Sequence, residues 1–145
     1  MSNDSSESTP PGPALGYLLK HATMQLTAST DAALEPFDID SKDLGVLQVL
    51  VGREPTSQQQ VAESLGVDRT TMVALLDTLE AKGVVTRRPD PADRRRNVVE
   101  LTEPGLAMFG TAKAAYESAC DEFVAPLGAD LAGQFRRALH LLVTR

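Results

Sequence analysis

Cysteine and histidine are scarce in this sequence. The single cysteine, Cys120, has no partner for a disulfide within the chain, and the only histidines are His21 and His140. No Cys/His group has the spacing of a metal site. No Ser/His/Asp or Cys/His arrangement for nucleophilic catalysis is visible either, nor is a phosphate-binding glycine loop. We therefore expect no metal, no cofactor and no enzyme activity.

Long apolar runs are also missing. No stretch approaches the roughly 20 residues that cross a bilayer, and the N-terminus lacks the basic region and apolar core of a secretory signal. Residues 1–13 hold four serines, three prolines and a glycine with little apolar content, which predicts a disordered tail. We expect residues 14–145 to form one domain, located in the cytoplasm with no membrane partner.

Positive charge is scarce overall and concentrated in one place. The formal net charge is -6, yet five arginines oppose only two aspartates between Val84 and Asn97. That passage carries +3, which leaves -9 on the rest. Because a basic surface neutralises phosphates and releases their counterions, the total charge argues against a nucleic-acid partner and the local charge argues for one. The sequence around these arginines must show whether they form a nucleic-acid binding surface.

Helical periodicity predicts four helices outside the central part of the chain. It predicts a first helix from Ala14 to near Pro36 and a second helix that Ser41 caps and Gly52 ends. A long helix begins after Thr102 as N-cap, and a final helix follows a break. The break is at Pro126 and Gly128. The apolar sets are Leu15, Leu18, Leu19, Ala22 and Leu26 in the first helix, Leu44, Leu47, Leu50 and Val51 in the second, Leu106, Phe109, Tyr116, Phe123 and Val124 in the long helix, and Leu131, Phe135, Ala138, Leu139 and Leu142 in the last.

Residues 56–83 are typical of two short helices joined by a tight turn. Thr56 or Ser57 caps the first, Gly66 supplies the turn, and Asp68 caps the second. A small residue where helices cross, a glycine in the turn and an apolar plug make this a helix-turn-helix pattern. The first helix buries Val61, Ala62 and Leu65, and the second, which Gly83 ends, buries Met72, Leu75, Leu76 and Leu79.

The opposite face of that second helix is turned outward. Threonine hydroxyls can bond to phosphates or base edges, and Val73 and Ala74 can meet thymine methyl groups, so the face suits a DNA major groove. An ordinary solvated helix face is the alternative interpretation. The DNA-binding residues predicted on this helix are Arg69, Thr70, Thr71, Val73, Ala74 and Asp77.

Two β-rich runs flank the arginines. "VVTRRP" and "NVVELT" enclose "DPADRRR", and Pro89 and Pro91 should end the pairing and leave an exposed loop. A hairpin placed directly after a helix-turn-helix is a wing, and arginine suits a narrow minor groove. Asp93 is expected to accept loop N–H groups or pair with Arg95 and orient it, although a solvated charge run is the alternative. The DNA-binding residues predicted in the wing are Arg87, Arg88, Asp93, Arg94, Arg95 and Arg96.

The predicted architecture is therefore mainly α with a small β-hairpin wing. Residues 41–102 form the winged helix-turn-helix, and residues 14–35 and 103–145 form helices that are more apolar than this unit can cover. We interpret those flanking helices as the interface of a homodimer, with an ordinary monomer core as the alternative.

Residues 61–105, "VAESLGVDRTTMVALLDTLEAKGVVTRRPDPADRRRNVVELTEPG", resemble the winged-helix core of the multiple-antibiotic-resistance regulator (MarR) family of bacterial transcription factors. The most specific part is the wing, where an aspartate, an arginine two residues later and a strand ending in Leu-Thr match Asp93, Arg95, Leu101 and Thr102. The resemblance implies an obligate homodimer with interlocked terminal helices. It also implies that the helix carrying Met72 enters the major groove of double-stranded DNA and that Arg95 enters the minor groove.

The resemblance further implies a repressor that leaves a pseudopalindromic operator when a small, often anionic or phenolic effector binds between the dimerisation helices and the winged domain. Tyr17, His21 and Met24 are candidate pocket residues, with core packing as the alternative. Oxidant-sensing relatives carry their thiol near the start of the first helix, where this chain has none. Cys120 has acidic neighbours, so we expect it to be inert. The alternative function is a winged-helix protein-interaction module that does not bind DNA.

Overall fold

The computed structural model describes residues 12–144, which form six α-helices and one small antiparallel sheet. The first eleven residues of the predicted disordered tail lie outside the described residues. The mainly helical, winged architecture predicted from the sequence is confirmed. The helices are α1 (Leu15–Leu34), α2 (Ser41–Leu50), α3 (Gln58–Leu65), α4 (Arg69–Ala81), α5 (Glu103–Val124) and α6 (Ala129–Val143), and the strands are β1 (Thr56–Ser57), β2 (Val85–Pro89) and β3 (Asn97–Leu101).

The start of α2 differs from the prediction by one residue. Asp40, not Ser41, is the N-cap: its carboxylate accepts the Asp43 backbone N–H at 2.9 Å, and the Asp43 carboxylate accepts the Asp40 N–H at 3.0 Å. Ser41 instead donates its backbone N–H and its hydroxyl to Asp31 of α1, at 2.8 and 2.6 Å. Asp and Ser cap helices about equally well, so the sequence could not separate two adjacent candidates. The serine is used to fasten α1 to α2.

The helix-turn-helix forms as predicted. Ser57 caps α3 in a capping box with Gln60, and Gly66 ends that helix at a φ of 66°, where a side chain would be strained. Asp68 caps α4 by accepting the Thr71 N–H at 2.7 Å. Along α4, the fully buried side chains are Met72, Leu76 and Leu79, while Leu75 is half-buried.

The wing is a hairpin of β2 and β3, and β3 also pairs with the short strand β1. Strands β2 and β3 pair from Val85 opposite Leu101 to Pro89 opposite Asn97, so pairing ends at the first proline as predicted. The two-residue strand β1 also pairs with β3, giving the order β1-β3-β2, and it leads directly into the cap of α3. Two residues are too few to show the alternation of a strand, so β1 could not be predicted from the sequence.

Burial is uneven along the chain. A continuous core joins the end of α1 with α2, α3, α4, the sheet and the first half of α5. By contrast, no described residue of α6 is buried, and α1 buries only Thr30 and Leu34, near its C-terminal end. No helix within residues 12–144 is both long and apolar enough to span a membrane. The large apolar side chains left exposed are Leu15, Tyr17, Leu18, Leu19, Met24, Leu106, Leu127, Leu131, Leu141, Leu142 and Val143.

Candidate nucleic-acid interface

Helix α4 turns short side chains toward solvent. Thr70 and Ala74 are exposed, and Thr71 and Val73 are half-buried. The Asp68 cap satisfies the Thr71 backbone N–H and keeps the first turn intact, and the same hydrogen bond lowers the pKa of the Asp68 carboxyl. This surface has little side-chain bulk to prevent close approach of a partner.

A cleft of about 550 Å³ lies between α3, the N-terminal half of α4 and the wing. Arg69 contributes to it from α4, and Arg95 and Arg96 contribute from the wing loop. The start of α4 and the arginine loop therefore open onto the same side of the molecule. The other lining residues are Ser57, Gln58, Gln59, Ala62, Glu63, Val67, Met72 and Asn97.

Two aspartates shape the arginine loop. Asp90 accepts the Ala92 N–H at 2.9 Å through its side chain and donates its own N–H to the Arg96 carbonyl at 2.8 Å. Asp93 accepts both the backbone N–H and the Nε–H of Arg95, at 3.1 and 3.3 Å, so the predicted pair is present. Arg96 Nε lies 3.7 Å from the other Asp93 oxygen.

This pair orients its arginine without covering it. The Arg95 side chain remains 92% exposed. An exposed ion pair of this kind contributes about 0–1 kcal/mol to folding. The arrangement therefore does little for stability, and it holds the Nε of an arginine whose side chain otherwise remains exposed to solvent.

Arg87 and Asp77 behave differently from the other predicted DNA-binding residues. The Arg87 side chain is only 17% exposed, and its Nη2 lies 2.5 Å from Asp77 Oδ1 and 3.2 Å from Glu80 Oε1. The Arg87 backbone N–H donates to Glu80 Oε2 at 3.0 Å. These bonds hold the pKa of the Glu80 carboxyl below its usual range and raise the pKa of Arg87. The group fastens the wing strand β2 to α4.

Glu80, which binds Arg87 in this group, was not among the residues predicted from the sequence. Its spacing of three residues from Asp77 puts both carboxylates on one face of α4, which was the available signal. Among the other wing arginines, Arg88 pairs with Glu100 at 3.3 Å across the β2–β3 ladder and stays half exposed. Arg94 is exposed. Of the arginines predicted to bind DNA, Arg69, Arg94, Arg95 and Arg96 are exposed and form no ion pair with another element of the described structure.

The predicted effector residues lie apart from this cleft, on α1. Tyr17 and Met24 are 54% and 56% exposed, His21 is half-buried, and the rings of Tyr17 and His21 lie 4.0 Å apart. Neither the cleft nor a second hollow on α6 is lined by these residues. Their role in effector binding stays a prediction.

Cys120 is half-buried beside Tyr116, whose pKa is raised chiefly by burial and secondarily by the electrostatic influence of Cys120 and a hydrogen bond with it. Within residues 12–144, no group of three or more His, Cys, Asp or Glu side chains is placed to hold a metal ion.

Comparison with known proteins places this geometry among DNA-binding regulators. A model of the MarR family matches residues 37–96. The transcriptional repressor NicR of Pseudomonas putida is 35% identical over 96 residues, which cover 66% of this chain and 60% of NicR. The chain spans between 37% and 60% of the length of the first curated relatives that it matches.

Solved structures agree over a longer part of the chain. The transcriptional repressor CouR, bound to a 23-mer DNA duplex, superposes with a TM-score of 0.83 at 29% identity over 89% of this chain and 92% of CouR. A mutant of MarR from E. coli complexed with operator DNA superposes with a TM-score of 0.80 at 25% identity over 89% and 93% of the two chains. The matches of sequence and fold coincide with the helix-turn-helix and its wing, and together they support a winged-helix regulator of the MarR family.

Proposed function

We propose that this chain is a homodimeric, DNA-binding transcriptional regulator of the cytoplasm. Helix α4 enters the major groove of a pseudopalindromic operator, and the wing loop enters the adjoining minor groove. The observation that carries this proposal is the shared cleft, because Arg69 of α4 and Arg95 and Arg96 of the wing open onto the same side. One duplex can then engage both elements together.

Charge distribution supports the proposal despite the net charge of -6. Four arginines are presented around the cleft and the loop, where phosphates and the minor groove would lie. Each phosphate neutralised by such a side chain releases condensed counterions, which favours binding at low salt. The acidic remainder of the surface discourages binding in other orientations.

Exposed apolar side chains on the flanking helices support the dimer. Leu15 on α1 is 70% exposed and Leu141 on α6 is 71% exposed, and both belong to a larger apolar set on these helices. Contiguous apolar surface on a single chain is typical of a protein interface, and twofold symmetry is the commonest way to cover it. A twofold dimer carries two α4 helices, which matches a pseudopalindromic site.

Repression and release by a small effector form the finer part of the proposal. The repressor NicR and the repressor CouR are similar to this chain in sequence and fold, which supports repression over activation. An anionic or phenolic effector would bind between α1 and the winged unit, near Tyr17, His21 and Met24. The support for the effector is the family resemblance and the exposure of Tyr17 and Met24 in a single chain.

The test is the salt dependence of duplex binding and its response to one arginine. For a duplex selected from a random pool, raising salt from 50 to 200 mM should weaken binding by roughly 10³–10⁵-fold if about 6–10 phosphates are contacted. Arg95→Ala should weaken binding by roughly tenfold with the same thermal midpoint, since its guanidinium is exposed. Titration by fluorescence anisotropy measures both effects.

Arg137→Ala is the matched control, because Arg137 is exposed on α6, away from the cleft. It should leave duplex affinity unchanged in a preparation shown to be dimeric by sedimentation. Duplex binding that ignores both salt and Arg95→Ala would instead favour a winged-helix module that binds proteins.

A further inference from the structure

The outward face of α4 has few groups left to read bases through hydrogen bonds. The helix contains no Asn, Gln or Lys between Arg69 and Ala81. The Asp77 carboxylate is engaged by Arg87, and the Thr78 hydroxyl donates to the Ala74 carbonyl at 3.1 Å. Arg69 and the threonine hydroxyls of the first turn are the donors that remain.

Methyl groups occupy the centre of the same face. Val73 and Ala74 lie three and four residues after Thr70, so the three side chains are neighbours on the helix surface. Ala74 and Thr70 are exposed, and Val73 is half-buried and lies outside the hydrophobic core cluster that holds Met72. Val73 therefore presents apolar surface that the fold of the single chain does not use.

The major groove offers one apolar feature to such a surface. Each base pair displays hydrogen-bonding groups there, and thymine alone adds a 5-methyl group. A valine or alanine side chain in contact with that methyl excludes water from both, and it gains nothing comparable from cytosine at the same position.

We propose that α4 recognises thymine 5-methyl groups in each operator half-site through Val73 and Ala74, with Arg69 and Thr70 at its edge. This inference rests on the proposed function and specifies the DNA sequence that the site accepts. The operator half-site then carries thymines where the middle of α4 lies, and methyl contact contributes more to base choice there than hydrogen bonding does.

The experiment removes single methyl groups from the DNA. The probe is the duplex that the full-length protein selects from a random-sequence pool, with each thymine replaced in turn by deoxyuridine. One or two positions per half-site should bind about fourfold more weakly, the loss expected for one methyl group withdrawn from contact. Because the 5-methyl lies in the major groove, this change leaves the minor-groove groups that face the wing unaltered.

A second substitution separates the methyl from the rest of the base pair. At a sensitive position, replacing the T·A pair with C·G should weaken binding, and replacing it with 5-methylcytosine·G should recover part of the loss. If the two replacements bind equally, hydrogen-bonding groups are read there and the inference is wrong.

Variants of one residue assign the effect to α4. Val73→Ser removes both side-chain methyls and should abolish the preference for thymine over deoxyuridine at one position, while Val73→Thr keeps one methyl and should retain part of it. Thr86→Ser removes one methyl at an exposed site of β2, outside the predicted DNA-binding residues, and should leave the preference intact.

The possible results are distinguishable. Selective duplex binding that does not respond to deoxyuridine at any position overturns the methyl inference and leaves the proposed function standing. No salt-dependent duplex binding at all overturns the proposed function and the inference with it.

Discussion

The winged unit and the flanking helices of this chain use apolar residues in opposite ways. In α4, Met72, Leu76 and Leu79 are fully buried within the single chain. In α6, at a comparable length of helix, no described residue is buried, and Leu141 is 71% exposed. The winged unit thus has a buried core, to which the end of α1 and the first half of α5 contribute. Most of α1 and the whole of α6 leave apolar surface exposed, and we infer that a second copy covers it.

The largest effect on stability should come from replacing one leucine of each region with alanine. Leu76→Ala removes a fully buried side chain and should lower the free energy of unfolding by about 2–5 kcal/mol at any protein concentration. Leu141→Ala should instead lower the thermal midpoint in a way that depends on protein concentration, because it weakens self-association. Urea denaturation measures the first effect, and thermal melts at two protein concentrations, with sedimentation equilibrium, measure the second.

The comparison fails if the two leucines behave alike. A loss at Leu141 that matches the loss at Leu76 and is independent of concentration would mean that α6 is packed within its own chain.

The boundary between the two regions lies at the start of α5. Gly105 packs so closely on the Val84 backbone that a Cβ there would overlap the Val84 carbonyl, and backbone cannot move aside as a side chain can. The same carbonyl accepts the Thr102 N–H at 3.1 Å, and Thr102 caps α5. The flanking helix and the wing are therefore joined by a backbone contact.

Gly105→Ala should lower the free energy of unfolding by about 1–3 kcal/mol or more, because overpacking against fixed backbone forces the strand and the helix apart. Gly110→Ala on the same helix is the matched control. It meets no atom within 4 Å and should raise stability by up to about 1 kcal/mol through helix propensity. Thermal melts of both variants give the comparison, and equal behaviour would show that the contact is not tight.

Most of the winged unit was predictable because its signals are local. Gly66, Asp68 and the apolar spacing of α4 each act within a few residues, and the structure has them as predicted. The arginine loop was also found, together with the orienting pair of Asp93 and Arg95. What the sequence could not give was the partner of each charged group across elements.

Arg87 illustrates that limit. In the sequence it is one of five arginines between Val84 and Asn97, and no local signal distinguishes its role from that of Arg95. The fold places Arg87 against two carboxylates of α4 and leaves Arg95 in solvent. The difference follows from β2 lying beside α4, a tertiary contact that periodicity does not encode. The DNA-binding assignments themselves stay predictions.

The smallest effect concerns two helix-starting aspartates with opposite pKa shifts. Asp68 is exposed, and the Thr71 N–H lowers the pKa of its carboxyl below the ordinary 3.8. Asp43 is buried in the capping box of α2, where desolvation raises the pKa of its carboxyl above 3.8. Ionised Asp68 therefore stabilises the fold at pH 7, and this contribution is lost as the pH falls below about 3.8. Asp43 affects stability in the opposite direction. Its buried carboxylate begins to destabilise the fold as the pH rises above 3.8, and the destabilisation is complete above its raised pKa.

Asparagine at either position removes the titration while keeping a side-chain oxygen that can accept the capping bond. Asp68→Asn should lower the thermal midpoint at pH 7 by a small amount and have less effect at pH 3. Asp43→Asn should raise the midpoint relative to the parent at pH 7 and lose that advantage at pH 3. Melts at the two pH values measure the difference between variants. If the Asp43 and Asp68 variants shift in the same direction between pH 3 and pH 7, the burial of Asp43 does not outweigh its hydrogen bond to Asp40.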